Sequence, residues 1–138
     1  MSFLIDTKIV SELGRDVRAN AGVRRWFEGA APHELFLSVV TIGEIRRGVV
    51  LLQRRDAVGA AHVNRRMRTL LTAFADRILP VDRAVAEEWG ALTAAGTVPQ
   101  IDALLAATAR VHSLTLVTRN VKDVASTGVH CLDPFVEK

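Results

Sequence analysis

Apolar residues along this chain fall into two kinds of run. Short runs rich in valine, isoleucine and leucine, without polar alternation, occupy residues 3–5, 35–40, 78–79, 114–117 and 129–132. A strand buried on both faces has no solvent side to mark with polar residues. These runs therefore predict strands of a parallel sheet covered above and below. Elsewhere the apolar positions recur every three or four residues, as one face of a helix requires. Val23, Trp26, Phe27 and Ala30 form one such stripe, and Ile42, Ile45, Val49 and Leu52 a second. Val63, Met67, Leu70, Leu71 and Phe74 form a third, Val85, Trp89 and Leu92 begin a fourth, and Leu104, Thr108 and Val111 a fifth. Trp26 and Trp89 lie on these stripes and read as core residues. The order βααβααβαβαβ predicts an α/β sandwich, a central parallel sheet of about five strands flanked by helices. No repeat, low-complexity tract or linker interrupts it, so residues 1–138 read as a single domain.

Composition narrows the class. The chain has 138 residues, 49% of them hydrophobic, and 18 basic side chains nearly cancel 15 acidic ones. That balance excludes a disordered chain, which needs low hydrophobicity and high net charge. The longest stretch free of charged residues, 89–101, holds two glycines and a proline, whereas a membrane span needs ~20 apolar residues. The N-terminus meets an acid at Asp6, so no secretory leader is expected. A lone cysteine, Cys131, fits a reducing cytoplasm. The charge is unevenly spread: residues 46–68 carry seven arginines against one acid, Asp56, a local +6. Such a segment is either a solvated helix face or a surface for a polyanion. Its mixture of apolar and arginine positions, continued to Phe74, also suits an amphipathic partner segment.

In parallel α/β sheets, sites form at the carboxyl ends of strands. Asp6 follows the first strand, Glu44 lies one turn into the helix after the second, Asp102 opens a later helix, and Asp123 follows the strand at 114–117 by a short turn. Each acid has a structural explanation. Asp6 or Thr7 is suited to cap the first helix, and Thr41 to Glu44 matches a capping box. Asp102 and Asp123 lie in first helical turns, where the macrodipole favours negative charge. Capping, however, predicts nothing about four acids converging. Convergence suits a hard divalent cation such as Mg²⁺ or Mn²⁺, which takes one or two carboxylates directly and others through water, and which activates water against a phosphodiester. The histidines, 33, 62, 112 and 130, are scattered, so zinc is not expected.

These residues resemble a known family. Leu4-Ile5-Asp6-Thr7 with Ser11-Glu12-Leu13, and Ser38-Val39-Val40-Thr41-Ile42-Gly43-Glu44-Ile45, look like the first half of a PIN domain. The segment from Asp102 to Ala109, then Leu116-Val117-Thr118-Arg119-Asn120-Val121-Lys122-Asp123, looks like the second half. The chain is most similar to the VapC-like toxins of toxin–antitoxin pairs, including the FitB-like branch. The resemblance implies a PIN-like three-layer sandwich. It also implies a Mg²⁺- or Mn²⁺-dependent endoribonuclease that is held by a small VapB-like antitoxin, forms a homodimer and a higher assembly with the antitoxin, and has no membrane partner. By position, Asp6, Glu44 and Asp102 are the acidic core, with Asp6 and Asp102 the direct ligands. Asn120 or Asp123 supplies the fourth place. Thr7 and Thr118 are supporting hydroxyls, and Arg46, Arg47 and Arg119 are contacts for RNA or antitoxin. The family usually reads Asp-Thr-Asn at the first motif, whereas Lys8 stands here. An ammonium there competes with a cation, grips phosphate or faces solvent. The alternative function is a catalytically degenerate PIN-like module that only binds RNA or a partner. A phosphoacceptor domain fits less well, because Asp6 has no acidic neighbour and residues 78–80 lead only to Val81-Asp82.

Overall fold

The computed structural model describes residues 1–94 and 96–135. Strands β1 (Phe3–Ile5), β2 (Leu35–Ser38), β3 (Ile78–Leu79), β4 (Thr115–Val117) and β5 (Cys131–Leu132) form a sheet in the order β3-β2-β1-β4-β5. Every pairing is parallel, with Leu4 opposite Phe36 on one side and opposite Leu116 on the other. The connecting helices are α1 (Thr7–Leu13), α2 (Ala21–Gly29), α3 (Val39–Gln53), α4 (Ala57–Thr72), α5 (Arg83–Ala94), α6 (Gln100–Val111) and α7 (Val121–Val124).

Successive strand residues feed two separate cores, which is why the strands carry no polar alternation. Ile5, Leu35, Leu37 and Val117 pack with Ile9 and Val10 of α1, Val23 of α2, Ile45 of α3 and Met67 of α4. Their neighbours Leu4 and Leu116 point the other way, onto Leu105, Ala106 and Ala109 of α6 and Val124 of α7. Leu4, Ile5, Leu37 and Val117 are all 0% exposed. The result is the three-layer sandwich that the sequence pattern predicts. Trp26 packs edge-on against Phe3, ring centroids 5.4 Å apart at 87°, as expected of a core residue.

Three details differ from expectation. Strand β2 ends at Ser38, two residues early, because the Ser38 hydroxyl accepts the Val40 amide at 3.0 Å and caps α3. An apolar run by itself does not separate a strand from a buried first helical turn. Strands β4 and β5 are also shorter than the apolar runs that announce them. Between β3 and β4 stand the two helices that the fourth and fifth apolar stripes predict, one more than the order βααβααβαβαβ counts, separated around Gly96, with Pro99 at the N-cap of α6. Proline lacks the amide that a continuous helix would need.

The chain lays β1, β2 and β3 outward in sequence, then returns to place β4 and β5 on the far side of β1. The strand order thus reverses at β1. In such sheets the crevice at the carboxyl ends of the strands flanking the reversal is where ligands bind.

Candidate functional site

Asp6 sits at that reversal, directly after β1. Its amide donates to Val117 O of β4 at 2.9 Å, and its carbonyl accepts from the Ile9 and Val10 amides as α1 begins. The residue occupies the N-cap position, yet its carboxylate makes no capping bond. Instead Asp6 Oδ2 accepts from Thr118 Oγ1 at 2.9 Å. Thr118 Oγ1 in turn accepts the Asn120 amide at 3.0 Å. That acceptance occupies a lone pair and leaves the hydroxyl proton for Asp6. Both side chains are enclosed, Asp6 being 3% exposed and Thr118 2%. Burial pushes the Asp6 carboxyl up to about 6; the Thr118 hydrogen bond pulls it down, the charge of Asp102 adds to the rise, the Thr7 amide lowers it and Glu44 raises it.

Glu44 reaches the same place from the second turn of α3. The capping box from Thr41 to Glu44 does not form, because Ser38 already caps the helix. The Thr7 hydroxyl donates to Glu44 Oε1 and lies 3.1 Å from Thr41 Oγ1. Thr41 and Glu44 are three residues apart and so share a helix face. Thr41 is fully buried. This hydroxyl pair ties α3 to the first turn of α1 and fixes where Glu44 stands.

Asp102, in the first turn of α6, is half-buried. Burial raises its pKa first, Asp123 raises it further, Lys8 opposes the rise and Glu44 adds to it. Asp6, Glu44, Asp102 and Asp123 therefore share one electrostatic field, although they come from four distant segments. Lys8 Nζ donates to Asn120 Oδ1 at 3.4 Å, at the edge of the group. Among the described residues no three His, Cys, Asp or Glu side chains stand within reach of a single ion. The set is oxygen-only, and the surrounding negative charges add to the burial that disfavours ionisation of Asp6 and Asp102. Its chemistry fits a hard cation that takes one or two carboxylates directly and reaches the others through water.

Hydrogen bonds join Thr7 to Glu44, Asp6 to Thr118, and Asn120 to both Thr118 and Lys8, while Asp102 and Asp123 join the group by charge. Arg46 and Arg47 are not part of this group. Both are exposed on α3, and among the described residues neither forms an ion pair. Beside Glu44 a cavity of about 250 Å³ opens between α1, α3 and α4, with Ile45, Val49 and Met67 as its floor and Arg15, Arg18 and Arg66 among its lining. Sequence pattern alone assigns Thr41 to a cap and passes over Arg15 and Arg18. The cue for Thr41 is Ser38, an N-cap candidate that interrupts the apolar run three residues earlier.

Fold and site together define a parallel α/β protein with a carboxylate-lined centre, suited to a hard cation, at its strand reversal. The chain belongs to the PIN domain family, which its residues 3–125 match. It is 33% identical over 137 residues to toxin FitB of Neisseria gonorrhoeae, covering 96% of this chain and 97% of the relative. It is 26% identical over 140 residues to VapC ribonuclease Y4jK of Sinorhizobium fredii, covering 96% of both. Among solved structures, FitAcB from Neisseria gonorrhoeae superposes with a TM-score of 0.86 at 30% identity, covering 96% of this chain and 97% of that one. A toxin–antitoxin complex from Klebsiella pneumoniae does so with a TM-score of 0.73 at 27% identity, covering 99% and 100%.

Proposed function

We propose that this chain is the toxin of a toxin–antitoxin pair and acts as an endoribonuclease dependent on a divalent metal, Mg²⁺ or Mn²⁺. The observation that carries the reading is the shared field of Asp6, Glu44, Asp102 and Asp123 at the strand reversal. Relatives matched along nearly the whole chain are named toxin and ribonuclease.

A bound divalent cation supplies charge neutralisation at the phosphate and a water of lowered pKa. Asp6 and Asp102 are the direct holders, since burial first, and neighbouring acids after it, raise both carboxyls above the ordinary range. Glu44, oriented by the Thr7 hydroxyl, orders water. Thr118 keeps the Asp6 carboxylate in place. Asp123 is the fourth acid, because its charge bears on Asp102, whereas the amide of Asn120 adds no negative charge.

The cavity between α1, α3 and α4 accepts a segment of the antitoxin, its apolar floor taking apolar side chains and its arginines pairing with acids. A homodimer in the cytoplasm completes the picture; no helix among the described residues is long and apolar enough to cross a membrane.

The test is cleavage by purified protein freed of antitoxin. RNA should be cut with Mg²⁺ or Mn²⁺ and left intact with chelator, and Asp102→Asn should be folded but inactive. Undiminished cleavage in excess EDTA would sink the metal mechanism. RNA binding without cleavage in either metal would favour the degenerate binding module.

A further inference from the structure

Acids that gather a cation repel RNA phosphates until the cation arrives, so the substrate needs a separate cationic surface to hold it. A groove of about 810 Å³ runs past the end of α1 toward the segment after β4, and Arg15, Arg18, Arg24 and Arg119 lie in its wall with Glu12 and Phe135. This is within the ~300–1,000 Å³ of pockets that enclose a small molecule, a size that suits a nucleotide. The one acid among these residues is already engaged, since Glu12 accepts the Asn20 amide at 2.7 Å and pairs with Arg15 at 3.3 Å. Three guanidinium charges are left without a carboxylate partner among the described residues.

Arg119 occupies a particular place in that wall. It stands between Thr118, which holds Asp6, and Asn120, which meets Lys8. Its guanidinium lies over the Phe135 ring, 4.4 Å from the centroid. The Phe135 backbone is pinned by its amide donating to Asp133 Oδ1 at 3.0 Å, and its ring packs against the main core. The guanidinium is thus seated against a fixed aromatic ring. The residue is nevertheless exposed.

Resting on the nuclease reading above, we propose that this groove holds single-stranded RNA beside the acidic centre, with one nucleobase stacked on the outer face of Arg119 while Phe135 backs the inner face. Unpaired bases stack on arginine planes and aromatic rings, whereas bases within a duplex are already stacked on their neighbours. Arg15, Arg18 and Arg24 then track the phosphates, which positions the strand without reading its sequence.

The shelf needs a plane and not merely a charge, and that distinction is measurable. Binding of a labelled mixed-sequence single-stranded RNA oligonucleotide is followed by fluorescence anisotropy in EDTA, so that chemistry is silent. Arg119→Lys should weaken binding roughly fivefold or more while leaving the salt dependence nearly unchanged. Phe135→Leu should weaken binding in the same sense by removing the backing ring. An oligonucleotide abasic at every position should bind wild type and Arg119→Lys alike. Arg24→Ala should instead lower the salt slope by about 0.7 whatever the bases. Equal affinity of wild type and Arg119→Lys for the normal oligonucleotide overturns the shelf, even if the wild type cuts RNA in Mn²⁺. Unchanged RNA binding with lost antitoxin inhibition in these variants would also overturn it, assigning the groove to the antitoxin.

Discussion

Replacing Asp6 by asparagine should make the metal-free protein more stable at pH 8 while abolishing cleavage. Burial and the neighbouring acids lift the Asp6 carboxyl from 3.8 to about 6. In the window between those values the folded chain holds a proton that the unfolded chain has lost. Folding stability therefore falls as pH rises through the window and levels off above it. At 1.36 kcal/mol per pKa step, the loss is about 3 kcal/mol. The substituted side chain would carry no such charge. Its Oδ1 can accept the Thr118 proton as Asp6 Oδ2 does now, but its amide nitrogen cannot accept from the Thr7 amide as the carboxylate does. A hydrogen bond to a neutral oxygen is also weaker than one to an anion, so the net gain is about 1–2 kcal/mol. For a domain of this size that is a rise in Tm of roughly 3–6 °C. Urea and thermal melts of both proteins in EDTA, from pH 4 to pH 8, provide the assay. The difference should grow between pH 4 and 6 and stay constant above. Added Mn²⁺ should stabilise the wild type far more than Asp6→Asn. If Asp6→Asn proves no more stable than wild type at pH 8, the claim that Asp6 is held ionised against its surroundings is wrong.

Thr118→Val keeps the shape of a buried side chain but removes the donor to Asp6 and the acceptor for the Asn120 amide. It should cost about 1–3 kcal/mol, more at pH 8 than at pH 4, and an equal cost at both pH values in denaturant melts would show that Thr118 does not act on the Asp6 charge. Lys8→Gln removes the ammonium that opposes the rise at Asp102. Because Lys8 is exposed and screened, metal affinity followed by calorimetry should tighten only about two- to fivefold. An unchanged dissociation constant would place Lys8 outside the cation's reach. Leu37→Ala, at a fully buried position of β2, should destabilise by about 2–5 kcal/mol without changing the metal dependence of whatever cleavage remains, as chemical denaturation and activity at low temperature would show.

Much of this molecule is legible along the chain because its physics is local there. A strand covered on both faces must be apolar at every position, so β1 and β4 announce themselves in three or four residues, and helices with one buried face repeat at their own period. The strand-end rule then directs attention to Asp6, Glu44, Asp102 and Asp123 before any contact is known. Local pattern fails where two readings satisfy the same residues. Ser38 and Thr41 both fit a helix cap, and the helix takes the one that frees Thr41 and Glu44 to face Thr7. It fails again where charges gather from separate segments. Counting arginines along the chain points to residues 46–68, whereas the groove beside the acids collects Arg15, Arg18, Arg24 and Arg119. The contact between Thr118 and Asp6, 112 residues apart, depends on β4 crossing back to lie beside β1. The residue types, and the ends of the elements that carry them, are written in the sequence. The strand order brings the acids together, and the resulting burial raises the Asp6 carboxyl to about 6, because desolvation and charge repulsion exist only once distant segments share a low-dielectric crevice.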